Sequence, residues 1–353
     1  MTELASILAW GIATVADGDS REQADALVEG RPHYQRHPRW VGRDGQRQIM
    51  CWASGLRDHV DFASRVALLA QRAWSACRQA QLQQGMQPAR AELILALPLV
   101  LGFHPDLREN FTAAAARLNF DGMTSVQLIF GEHAVGLAVF ERAAAALTRE
   151  GARHVYIAAA DTLVAPMILD MLAAKGELRD RHNPWNPVPS EAAVCMLIAR
   201  PQDGWTGVSQ HPCVMASASR IEDMFAEISE AACDDGDSLT EAARESLAQM
   251  PDVARIVSDA SGCRWRAEEL GRVTSALSVH VQDAPIFTAA QAVGDVGAAT
   301  ALLSVVMGLS AGPGGSLILA SERSGSRRSA IVIPAARAGA SGLSCGGAGL
   351  ALG

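Results

Sequence analysis

The sequence predicts an α/β fold built from two similar halves, and three observations carry this prediction. Helical patterns alternate along the chain with short apolar runs whose length suits buried strands. A Gly turn, an Ala-rich helix and a strand follow one another twice, once in each half. Apolar residues make up 49% of the 353 positions, so the chain can bury a large core.

The first half opens with the apolar run of MTELASILAWGIATVADGD, which predicts a strand. No positive charge precedes this run and no small-residue cleavage site follows it, so it lacks the pattern of an export signal. Two longer segments with helical spacing and three short apolar runs come next. The predicted helices are Arg57 to Gln81 and Ala134 to Thr148, and the predicted strands are Leu93 to Leu97, Val126 to Phe130 and Val155 to Ala160.

The second half repeats this order of elements. Gly294 corresponds to Gly131, the Gly turn that precedes the Ala-rich helix of the first half. Small side chains let helix backbones approach closely, so we expect both Ala-rich helices to be buried between two sheets. The predicted elements are a helix from Leu239 to Gln249, a strand from Arg255 to Asp259, an Ala-rich helix from Ala298 to Leu309 and a strand from Ser316 to Ala320.

Charge and composition argue against several classes of function. The net charge is -8 and no Lys/Arg-rich run occurs, so the sequence does not predict nucleic-acid binding. No window reaches the roughly 18 to 20 apolar residues of a membrane span, and we therefore expect a cytoplasmic protein. The seven cysteines are scattered without the spacing of zinc ligands, so we predict no metal site and no cofactor.

Four segments are informative together: ILAWGIATVADGDSREQADALVEGR, GLAVFERAAAALTREGARHVYIAAAD, NPVPSEAAVCMLIAR and AVGDVGAATALL. In their order and spacing they resemble the thiolase-like β-ketoacyl synthases, over about residues 5 to 335. The resemblance implies a thiolase fold with five layers, αβαβα, built from two similar halves, here residues 1–200 and 201–335. Residues 336–353 are rich in Gly and Ala with few large side chains, which predicts a flexible tail.

The resemblance also implies where a condensing enzyme would carry its catalytic residues. The family's nucleophilic cysteine lies at the N-terminal end of the first buried helix, where the helix dipole lowers the pKa of the thiol. The matching positions here are His133 for that cysteine, Ser261 and Asp295 for two catalytic histidines, and Ala290 for a lysine. Neither serine nor an ionised carboxylate can replace the imidazoles, so we expect no catalytic residues of the family type.

Two rebuilt sites remain open from the residues alone. Glu132, His133 and Asp295 could form a new acid–base site, because the two buried helices begin near each other in the family fold. In the alternative, Glu132 complements the helix dipole and His133 is a core histidine whose hydrogen bonds are satisfied. Cys263 could be a relocated nucleophile, but it would need a base and an oxyanion hole that the sequence does not show.

Three segments are candidate interaction surfaces. Arg31 to Trp40 interleaves basic and aromatic residues, and Arg179 to Pro189 is Pro-rich around Trp185. The first of these segments could equally be an ordinary loop over the sheet. Members of the family dimerise through the strand that corresponds to Val126–Phe130, so we expect Val126, Gln127 and Leu128 at the interface of a homodimer or of a heterodimer with a related subunit.

The sequence therefore predicts a catalytically inactive thiolase-like protein that binds a protein partner. Our first hypothesis is an adaptor, chaperone or scaffold, because the chain resembles the degenerate synthase-like proteins found with bacterial type VI secretion effectors. The second is a non-catalytic partner subunit of an active β-ketoacyl synthase, similar to the chain-length factors. The third is an acyl-thioester-processing enzyme that uses Glu132, His133 and Asp295.

Overall fold

The computed structural model describes residues 5–42, 44–56, 61–87, 90–118, 120–149, 151–200, 211–221 and 237–335, and the predicted tail lies outside these ranges. Its strands are β1 (Ala5–Ala13), β2 (Gln35–Val41), β3 (Arg47–Met50), β4 (Ala91–Pro98), β5 (Met123–Gly131), β6 (His154–Thr162), β7 (Glu191–Ala199), β8 (Cys213–Ile221), β9 (Arg255–Ser258), β10 (Ile286–Phe287), β11 (Ser316–Ser321) and β12 (Ser326–Ile333). Its helices are α1 (Ser20–Val28), α2 (Phe62–Gln83), α3 (Leu99–Phe103), α4 (Pro105–Ala116), α5 (Val135–Leu147), α6 (Pro166–Lys175), α7 (Asp237–Gln249), α8 (Arg264–Ala276), α9 (Ser278–Val281), α10 (Ala290–Val293) and α11 (Thr300–Ser310).

The described strands, apart from the β2–β3 hairpin, form a sheet in the order β10-β9-β11-β12-β8-β1-β7-β6-β4-β5. The two halves of this sheet meet where Ala5 and Ser6 of β1 pair with Val214 and Cys213 of β8. Each half has the same strand order, and in each the last strand in sequence, β7 or β12, is antiparallel to both of its neighbours. The predicted fold class, with two similar halves, is confirmed.

The core clusters follow five layers of structure. One cluster packs α2 and α4 on the outer face of the first half-sheet, and another packs α7 and α8 on the outer face of the second. The largest cluster lies between the half-sheets and contains α5 and α11. The layers are therefore helix, sheet, helix, sheet, helix, as the thiolase fold requires.

The two central helices differ in how deeply they are buried. Nine of the eleven residues of α11 are buried, whereas eight of the thirteen residues of α5 are, and Arg142 and Ala145 of α5 are exposed. The expected near-complete burial thus holds for α11 and only partly for α5. The backbones of α5 and α11 approach each other closely at Gly136. A methyl group added at Gly136 would lie only 2.9 Å from the backbone nitrogen of Leu302, so there is no room for a side chain between the helices at this point.

Two boundaries differ from the sequence prediction for local reasons. The predicted helix from Arg57 begins in the structure at Phe62, where the side chain of Asp61 accepts the Ser64 N–H as an N-cap, and residues 57–60 lie outside the described ranges. The second Ala-rich helix begins as a 3-10 turn, Gly297–Ala299, before α11. None of the described helices is long and apolar enough to cross a membrane.

Candidate functional site

The N-terminal ends of the two central helices meet at a hydrogen-bonded pair, His133 and Asp295. The chain turns through His133 between the end of β5 and the start of α5. Asp295 lies between α10 and the 3-10 turn that leads into α11. His133 Nε2 is 2.7 Å from Asp295 Oδ1, and the same oxygen accepts the Gly297 N–H at 2.9 Å. The fold therefore places a histidine–carboxylate pair where the two halves meet.

A third side chain, Arg266 on α8, contacts the other nitrogen of the imidazole. Its Nη2 lies 2.8 Å from His133 Nδ1. A guanidinium group can only donate, so Nδ1 must accept, and the ring proton is on Nε2, which donates to Asp295. Both ring nitrogens of His133 are thus engaged, and the imidazole has no free lone pair to act as a nucleophile or base.

Arg266 is held in turn by Asp259, which follows β9. The Arg266 Nε lies 3.3 Å from Asp259 Oδ2, and the two side chains are 3% and 4% exposed. Arg266 Nη2 also donates to the Ser321 carbonyl at 3.2 Å, while Asp259 accepts the Ser321 N–H at 2.8 Å. The result is a buried chain, Asp259–Arg266–His133–Asp295, with a carboxylate at each end. We refer to these four residues as the buried relay.

Asp295 and Asp161 both interact electrostatically with His133, and the pKa values of their carboxyl groups are shifted in opposite directions. Burial alone would raise the pKa of Asp295, but His133, Arg266 and the Gly297 N–H hold it well below its usual value. Burial raises the pKa of Asp161 at the end of β6 to about 7, although this carboxyl accepts the Ala298 N–H at 2.8 Å. Asp295 is therefore an anion, whereas Asp161 exchanges a proton near neutral pH.

Ser261 lies against the buried relay, whereas Ala290 is bonded elsewhere. Ser261 Oγ is 3.4 Å from Arg266 Nη1. Ala290 begins α10, and its carbonyl accepts the hydroxyl of Tyr34 at 2.6 Å. Of the four positions that match the family's catalytic residues, the structure brings His133, Ser261 and Asp295 together around Arg266.

Glu132 and Cys263 border this cluster. The Glu132 carboxylate accepts the Arg323 N–H at 3.0 Å, and within the described structure no hydrogen bond joins it to His133 or Asp295. The pKa of the Cys263 thiol is raised, chiefly by burial, and its Sγ lies 3.9 Å from Ser261 Oγ. An activated thiolate needs a lowered pKa, so the surroundings of Cys263 do not favour a nucleophile there.

A cavity of about 230 Å³ lies in front of the buried relay. His133, Asp161, Arg266 and Asp295 line its polar side. The exposed Lys175 of α6, which is the only lysine in the sequence, also lines the cavity. Its apolar wall is formed by Phe62, Leu99, Val100, Leu163, Ile168 and Trp265. Among the described residues, no three His, Cys, Asp or Glu side chains are grouped so as to hold a metal ion.

The predicted interface residues occupy three different settings. β5 is the edge strand of the first half-sheet, with Val126 and Gln127 exposed and Leu128 half-buried. Trp185 is 78% exposed. Trp40 is half-buried and packs against the small cluster that contains Met50 and Leu169.

Sequence reasoning missed Arg266 as a site residue. Arg266 is at the third position of α8, where the positive end of the helix dipole disfavours a cation. A buried arginine in the first turn of a helix needs a compensating anion, and Asp259 is that anion. This unfavourable placement is the one sequence signal that could have found it, but nothing in the sequence shows that Arg266 is buried.

The sequence and the fold give different results when compared with known proteins. No family model matches the sequence, and no curated protein matches it. The ishigamide ketosynthase/chain length factor superposes with a TM-score of 0.65 and 16% identity, over 94% of this chain and 99% of that chain. A structure of a type II PKS acyl-carrier protein in complex with its ketosynthase superposes with a TM-score of 0.74 and 14% identity, over 95% of this chain and 100% of that chain. A β-ketoacyl synthase from Burkholderia phymatum superposes with a TM-score of 0.70 and 12% identity, over 95% of this chain and 100% of that chain. At these identities the likeness shows the fold, and the chain therefore has the thiolase fold that ketosynthases and chain-length factors share.

Proposed function

We propose that this chain is a non-condensing thiolase-fold subunit that works by binding a protein partner, in the manner of a chain-length factor beside a ketosynthase. The observation that carries the proposal is the buried relay. In it, both imidazole nitrogens of His133 are engaged, and His133 is the residue that matches the family's nucleophilic thiol by resemblance. Catalytic groups that act as a unit lose nearly all activity once one is removed, so this arrangement favours binding over condensation.

The β5 edge is the surface we assign to the partner. An edge strand presents unpaired backbone N–H and C=O groups, which a strand from another chain can complete. The exposed Val126 adds apolar area to that edge. Either a second copy or a related subunit fits this mode, and two of the structural neighbours have chain length factor in their names.

Affinity purification from the native host, with mass-spectrometric identification of the bound proteins, tests this assignment. We compare the wild type with Val126→Lys, which places a charge at the β5 edge, and with Val279→Lys, a matched change on α9 at a side chain that is 90% exposed. A cysteine-bearing ketosynthase that is retained by the wild type and by Val279→Lys, but lost with Val126→Lys, is the expected result. A ketosynthase retained equally by all three proteins would contradict the β5 interface.

An adaptor for a type VI secretion effector is the second candidate. The size of the cavity favours it, because about 230 Å³ is below the roughly 300–1,000 Å³ of typical ligand pockets and leaves little room for a long acyl chain. Such an adaptor needs a protein-binding surface and no acyl pocket. In the same purification, recovery of an effector or a secretion component in place of a ketosynthase would establish this candidate and exclude the first.

A further inference from the structure

Two segments that are far apart in sequence lie against each other and together carry five exposed arginines. The β2–β3 hairpin contributes Arg36, Arg39 and Arg47, and the loop after α6 contributes Arg179 and Arg181. We call these five residues the arginine surface. Hydrogen bonds hold the two segments together. Gln48 Nε2 donates to the Arg179 carbonyl at 3.0 Å, and the Arg181 N–H donates to Asp44 Oδ2 at 3.4 Å.

The charge of this surface is opposite to that of the whole protein. Two aspartates, Asp44 and Asp180, are interspersed with the five arginines, and both accept backbone N–H groups: Asp44 from Gln46 at 2.9 Å and Asp180 from His182 at 2.7 Å. No carboxylate of the described residues forms an ion pair with Arg36, Arg47 or Arg179. The net charge of the chain is -8, so the arginine surface stands out as a positive region.

Exposed aromatic side chains lie in the same two segments. Tyr34, just before β2, is 38% exposed, and its hydroxyl donates to the Ala290 carbonyl, which fixes the ring. Trp185 is 78% exposed, and its neighbour Asn186 donates to the Gly176 carbonyl at 2.7 Å, which ties the loop to the end of α6. Arg, Tyr and Trp are the residue types that contribute most to protein interfaces.

We propose that the arginine surface binds an acidic segment of a partner protein. Guanidinium groups pair with carboxylates through two parallel hydrogen bonds, and those of Arg36, Arg47 and Arg179 can recognise a short run of Asp and Glu. A nucleic acid fits less well, because a long polyanion would also meet the negative charge of the remaining surface. The arginine surface contains no residue of the β5 edge, so this proposal does not depend on pairing through β5.

Fluorescence anisotropy with a labelled deca-glutamate peptide, and with a labelled single-stranded DNA of similar charge, tests the proposal. The double variant Arg47→Glu/Arg179→Glu is compared with Arg21→Glu/Arg108→Glu, which changes two exposed arginines of α1 and α4 and alters the net charge equally. We expect the wild type to bind the peptide more tightly than the DNA. The first variant should weaken peptide binding about tenfold or more, and the second less than about twofold. Thermal unfolding of each variant checks that it is folded.

Three outcomes would overturn the proposal. One is tighter binding of the DNA than of the peptide at equal salt. The second is an equal loss of peptide binding in both double variants, which would show a general effect of net charge. The third is no measurable peptide binding by the wild type at low salt, where ion pairs are strongest.

Discussion

His133 Nε2 and Asp295 Oδ1 lie 2.7 Å apart, and this contact joins the starts of the two central helices, one from each half of the chain. Condensing enzymes of this fold are expected to carry a nucleophile and a catalytic histidine at these positions. Here the two side chains satisfy each other, and Arg266 engages the remaining imidazole nitrogen. His133 and Asp295 are thus part of the packing between the halves.

Replacing His133 by alanine should destabilise the protein by about 3 kcal/mol, because it leaves Asp295 and Arg266 buried without their common partner. The measurement is urea unfolding followed by circular dichroism. His104→Ala is the control, since His104 is exposed and makes no side-chain cap at the start of α4. Equal stability of the two variants would show that the buried relay contributes nothing to folding.

Asp161 should make the stability depend on pH. Its pKa is raised from 3.8 to about 7 in the folded state, so between these values the folded protein holds a proton that the unfolded chain has released. The free energy of unfolding that this group contributes is therefore fully present below pH 4 and falls as the pH rises towards 7, by up to ~1.4 kcal/mol per pH unit.

Urea unfolding at a series of pH values, for the wild type and Asp161→Asn, isolates this effect. The variant cannot titrate at position 161, so the free energy of unfolding of the wild type, measured relative to that of the variant, should fall steadily from pH 4 to pH 7. Parallel stability curves over this range would mean that Asp161 is ionised in the folded protein at acidic pH.

The close approach of α5 and α11 should tolerate no side chain at Gly136. A methyl group there would lie 2.9 Å from the backbone nitrogen of Leu302, which cannot move without shifting α11. We expect Gly136→Ala to lower the free energy of unfolding by about 1–3 kcal/mol. Gly271→Ala in α8 is the matched control. It has open space around it and should raise stability by about 0.5–1 kcal/mol. A stabilising Gly136→Ala would disprove the helix contact.

Much of the fold could be predicted from local sequence patterns. The predicted strands Leu93 to Leu97 and Val155 to Ala160 lie within β4 and β6. They could be predicted because strands that are buried on both faces are continuous apolar runs in the sequence. The start of α11 was harder to place. Gly297, the first residue of the 3-10 turn, has a φ of +52° and lies against the Asp161 carboxylate, a tertiary contact that the local sequence does not show.

The candidate site could be predicted only in part. The family resemblance predicts His133, Ser261 and Asp295 as site positions, and the structure brings these three residues together around Arg266. Arg266 contacts His133 from a position 133 residues away in the chain. Local sequence patterns do not predict a contact between residues so far apart. They also do not predict the hydrogen bond from Gln48 to the Arg179 carbonyl, which joins the β2–β3 hairpin to the loop after α6.

Intact-protein mass spectrometry after incubation with acyl and malonyl thioesters tests the central claim, that this thiolase-fold protein does not condense acyl groups. With both nitrogens of His133 engaged and the Cys263 pKa raised by burial, we predict that the mass remains that of the unmodified chain. An acyl adduct on Cys263, His133 or any other residue of the cavity would contradict the account and show that the site retains covalent chemistry.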